Sequence, residues 1–77
     1  MMLYDGEKRA FIGDRLRVAL IARDFTPETC ANKADLEIGS IYNALNGKPV
    51  RLTTAIKIFK ALDSRKPMPI VYDDHAA

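Results

Sequence analysis

The chain has 77 residues, 48% hydrophobic and 29% charged, a balance that suits one small folded domain and excludes an intrinsically disordered segment. Its formal net charge of +2 permits an anionic partner without demanding one. The single cysteine, Cys30, excludes an internal disulfide. The opening "MMLYDGEKRAF" lacks the apolar stretch of a signal peptide, and no apolar run approaches the roughly 20 residues of a membrane helix, so a soluble protein of the reducing cytoplasm is expected.

In chain order, Ile12, Leu16, Ala19 and Leu20 recur at helical spacing and predict a helix over residues 8–23, its first turn weakened by Gly13. Thr26-Pro27-Glu28 is a start signal: a hydroxyl to cap, a fixed φ at the first helical position, and a carboxylate at the positive end of the dipole. The second helix, over 27–33, is too short to stand alone. The connection Ala34-Asp35-Leu36 leads to a third helix over 37–45, stopped by Asn46-Gly47. After the loop "GKPVR" a fourth helix is expected over 52–62, with Leu52, Ala55, Ile56, Phe59 and Leu62 on one apolar face.

Beyond Asp63 the character changes. Two prolines in "SRKPMPIVYDDHAA" forbid a regular helix, and the β-prone Ile70-Val71-Tyr72 reads as an extended arm or as a strand awaiting a partner. The chain thus divides into a helical domain over 1–63 and an arm over 64–77. No Gly-rich phosphate loop or nucleophile–base pair is present, and Asp73-Asp74-His75 reads as solvated tail, so no catalytic residue, metal or cofactor is expected.

Two short helices joined by a tight turn form a helix-turn-helix, and that geometry restricts three positions. The face of the first helix against the second must be small, and Ala31 is; the turn needs a residue that tolerates the left-handed region, and Asp35 does; a branched apolar side chain must anchor the second helix, and Ile41 can. With these in place, residues 12–62 resemble the lambda-repressor-like (Xre/Cro) DNA-binding family. "IGDRLRVALIARDFTPE" is similar to that family's first helix and entry to the second, "IYNALNGK" to the end of its recognition helix, and "LTTAIKIFKAL" to its fourth helix. Where family members often set an Arg against a Glu, this chain carries Leu20 and Leu45, an exchange that keeps the packing.

The resemblance implies an all-α, compact four-helix domain that regulates transcription, by default as a repressor, with its third helix in the major groove of double-stranded DNA. Glu37, Ile38, Gly39, Tyr42 and Asn43 would then face bases, Asn43 pairing with adenine and Ile38 packing on thymine methyls. Phosphate contacts would come from Thr26, Ser40, Asn46, Lys48 and Arg51. Two copies on a two-fold operator are expected, with Val18 and Ile21 on the first helix and Ile70, Val71 and Tyr72 in the arm as interface residues. The alternative is a protein-interaction module on the same fold, such as an antitoxin that masks a toxin. Two residues favour it: Pro27 has no N–H for a phosphate, and Glu37 would carry negative charge towards one.

Overall fold

The computed structural model describes residues 2–68 of the chain. The chain runs β1 (Tyr4–Asp5), β2 (Ala10–Phe11), α1 (Gly13–Ala22), α2 (Pro27–Ala34), α3 (Ile38–Leu45) and α4 (Leu52–Asp63). The fold is mostly helical, but it opens with a hairpin where the periodicity led to helix. Residues 8–11, expected in the first helix, form its turn and second strand, so α1 begins at Gly13, and Ile12 stands as its N-cap. The four expected helices are present, and this small hairpin adds to them.

Local chemistry explains the hairpin. The Asp5 carboxylate accepts from the amides of Glu7 (3.0 Å) and Lys8 (3.3 Å), closing the turn, and Arg9 takes φ 52°, so the chain reverses rather than coils. Tyr4 then faces Phe11 and Asp5 faces Ala10 in antiparallel register, while the Ile12 amide donates to the Leu3 carbonyl at 2.7 Å. Burial of Ala10 and Phe11 outweighs the weak helical preference of this stretch.

Three helices end by one device. After each, a residue in the left-handed region lets two successive amides reach back to orphaned carbonyls. Asp24 (φ 57°) closes α1, with its own amide on Ile21 and that of Phe25 on Leu20. Asp35 (φ 56°) closes α2, with bonds to Asn32 and from Leu36 to Ala31. Gly47 (φ 72°) closes α3, with bonds to Ala44 and from Lys48 to Asn43.

The core gathers Phe11, Leu16, Leu20, Phe25, Cys30, Ile41, Ile58 and Leu62 among others, and among the described residues no polar or charged residue is buried. α4 packs on α2 and buries Ala55, Ile58, Ala61 and Leu62. This differs from the expected face: Leu52 is 62% exposed, Ile56 45%, and Phe59 is half-buried. α4 is apolar on two sides, and spacing alone does not choose between them. The hairpin decides, because Tyr4 and Phe11 take the Phe59 ring edge-on or tilted, at centroid distances of 6.4 and 5.5 Å. The Tyr4 hydroxyl, enclosed by this arrangement, has no hydrogen-bond partner.

Past α4 the chain turns back onto α1. The Arg23 Nε donates to the carbonyls of Leu62 (2.9 Å) and Arg65 (3.1 Å), Arg65 Nη1 donates to the Arg23 carbonyl (3.0 Å), and its guanidinium lies 4.8 Å from the Phe25 ring centroid. The Met68 amide then donates to the Ala22 carbonyl at 2.6 Å. The interface expectation for Ile70, Val71 and Tyr72 lies outside the described residues, as does most of the proposed arm. No helix among the described residues is long and apolar enough to cross a membrane.

Candidate nucleic-acid interface

α2 starts where its signal stands. The Thr26 hydroxyl accepts from the Thr29 amide at 3.1 Å, and Pro27 occupies the first helical position. Between α2 and α3 the three restricted positions behave as the geometry requires. Ala31 is buried, Asp35 takes φ 56° and ψ 48°, and Ile41 is completely buried. Fixed by these, α3 turns one edge inward through Ile41, Ala44 and Leu45 and the other to solvent.

On the outward edge lie Glu37, Ile38, Gly39, Tyr42 and Asn43, all exposed, with Tyr42 at 49%. Around them Thr26, Asn46, Lys48 and Arg51 are exposed and Ser40 is half-buried. Gly39 is informative: a Cβ built there would meet nothing within 4 Å. No internal contact requires a glycine at this second position of α3, and glycine is a poorer helix former than alanine. Glu37 precedes α3 as its N-cap and makes no side-chain capping bond, so its carboxylate is free at the edge. A groove between α2 and α3, lined by Glu28, Ala31, Asn32, Leu36 and Ile38, has a volume of about 340 Å³.

Leu20 and Leu45 are both buried and, with Arg17, Ile21, Phe25 and Pro27, line a smaller hollow of about 180 Å³. Val18 and Ile21 are exposed on α1, Ile21 to 64%. Cys30 is a buried free thiol whose pKa is pushed up by desolvation, the environment of an inert core residue rather than a nucleophile.

The surroundings of the α3 C-terminus are not evident from helical spacing alone. β2 packs against α3 and also bridges to the following loop, Ala10 opposite Pro49, with the Val50 amide donating to the Arg9 carbonyl at 2.7 Å. The Asp5-Gly6 turn signal was available in the sequence, but the helical spacing that begins at Ile12 masked it. Searches with this chain matched no family model, no curated protein and no solved structure.

Proposed function

We propose that the chain is a sequence-specific DNA-binding regulator of the lambda-repressor-like type, acting without catalysis through α3 in the major groove. One observation carries this reading: α2 and α3 are locked by Ala31, Asp35 and Ile41 so that Ile38, Gly39, Tyr42 and Asn43 project together into solvent. The unexplained glycine supports it, since a missing side chain lets the helix backbone approach a groove wall. Asn43 would read adenine and Ile38 a thymine methyl, while Thr26, Ser40, Asn46, Lys48 and Arg51 would hold the flanking phosphates.

Selection of binding sites from random duplex DNA tests this directly. Enrichment of a two-fold-symmetric motif, with affinity falling steeply as salt rises, is the expected result. No enrichment at any salt concentration refutes it. Dimerisation would use the exposed Val18 and Ile21 together with residues 70–72. Removal of residues 69–77 leaves the Arg65 and Met68 contacts in place, so the truncated chain should sediment as a monomer where the full chain sediments as a dimer.

The second reading, a protein-interaction module of the antitoxin kind, is favoured by the uncapped Glu37 and by Pro27 at the start of α2. A chain that enriches no DNA yet binds a toxin-like protein through the α3 edge would fit that reading instead.

A further inference from the structure

The hairpin and the loop after α3 bring four cations to one end of the molecule. Lys8 and Arg9 lie in the hairpin turn, Lys48 follows the close of α3, and Arg51 is the N-cap of α4; all four are exposed. The bridge between Ala10 and Pro49 sets their relation. The two segments run antiparallel, Arg9 is bonded to Val50, and Lys8 and Arg51 come one residue further along each.

This end is also firmly held. Gly13 opens α1 directly after β2, and a Cβ there would collide with the Leu45 carbonyl at the end of α3. β2, the start of α1 and the end of α3 therefore touch backbone to backbone, and the hairpin cannot swing independently of α3. Among the described residues, arginine hydrogen bonds come from Arg15, Arg23 and Arg65, and the side chains of Lys8, Arg9, Lys48 and Arg51 take part in none. Nearby opposing charges are Asp5, half-buried with its Oδ1 accepting from two turn amides, and Glu7, which is exposed. Like charges on neighbouring strands repel in the isolated chain. A polyanion laid across them converts that repulsion into attraction.

We propose that the N-terminal hairpin is a second DNA-contacting element, a rigid wing whose Lys8 and Arg9 grip backbone phosphates beside the groove entered by α3. The inference rests on the DNA-binding reading above and extends it to residues outside the helix-turn-helix. Lys48 and Arg51 belong to the same phosphate track, so the wing lengthens that track rather than opening a separate site.

The test compares the full chain with a Lys8→Gln/Arg9→Asn double variant on the duplex recovered by selection, following affinity against salt. Asparagine tolerates the left-handed conformation of position 9, so the turn is preserved. The slope of log affinity against log salt should flatten by about 1.8, roughly 0.9 for each phosphate that is no longer neutralised, with the preferred base sequence unchanged. Glu7→Gln, which removes the exposed opposing charge and leaves the Asp5 turn bonds untouched, should bind more tightly at low salt. If the double variant is folded by circular dichroism and keeps the full slope, the wing does not touch DNA. Should that variant fail to fold, Glu7→Gln decides, and unchanged affinity overturns the proposal. Failure of the unaltered chain to bind any duplex refutes the DNA-binding reading itself, an outcome distinct from a loss confined to the wing.

Discussion

Gly13 and Gly39 sit in helices of the same small protein for opposite reasons. At Gly13 the space for a side chain is already filled by the Leu45 carbonyl, whereas at Gly39 it is open. Gly13→Ala must push α1 away from α3 and is expected to cost about 1–3 kcal/mol, the range for overpacking a tight contact, read as a lower urea midpoint. Asn43 is a test of another kind, because it is exposed and contributes nothing to the core. Asn43→Ala should keep or slightly raise the urea midpoint, alanine being the better helix former, and lower affinity for the selected duplex by about 1–3 kcal/mol, relaxing preference at one base pair. Unchanged affinity would shift the register of the reading edge along α3.

The helix ends matter as much as the helices. Asp24 and Asp35 hold a conformation that costs an L-residue with a side chain about 1–2 kcal/mol, less for aspartate than for most. Asp24→Gly removes that strain, partly offset by the greater freedom of glycine in the unfolded chain, so a net gain of roughly 0.5–1 kcal/mol is expected in thermal unfolding. A lower melting temperature would mean that the Asp24 side chain stabilises the turn in some further way. These ends also show which elements were legible in the sequence. α2, its turn and α3 were placed to within a residue, because Thr26-Pro27, Asp35 and Asn46-Gly47 act through local backbone chemistry that needs no tertiary partner. The hairpin and the rotation of α4 were not legible. Each is decided by contacts between segments far apart in the chain, Tyr4 and Phe11 with Phe59 and Ala10 with Pro49. The outward edge of α3 was visible as a set of residues, with Lys48 and Arg51 beside it, but the place of Lys8 and Arg9 next to them depends on the hairpin and stayed hidden with it.

For the molecule as a whole, the burial of Cys30 among apolar side chains ties stability to alkaline pH. Burial raises its pKa in the folded state. Well below about pH 8.5, the ordinary pKa of a free thiol, both states keep the proton and its contribution is complete. At higher pH the unfolded chain releases the proton first, so stability falls as pH rises through the folded pKa. Urea unfolding at pH 7 and pH 10 should therefore show a larger alkaline loss for the unaltered chain than for Cys30→Val, and equal losses would place the sensitivity elsewhere.

Among the described residues the interior is hydrocarbon apart from one thiol and the Tyr4 hydroxyl, and it holds no buried charged residue, which has a further consequence. Its side chains are largely interchangeable with others of similar bulk, so they do little to dictate which way the rods lie against each other. That instruction comes from the punctuation between them, the two aspartates and two glycines at the joints. Evolutionary drift in such a protein should run freely through its oily centre and halt at its corners.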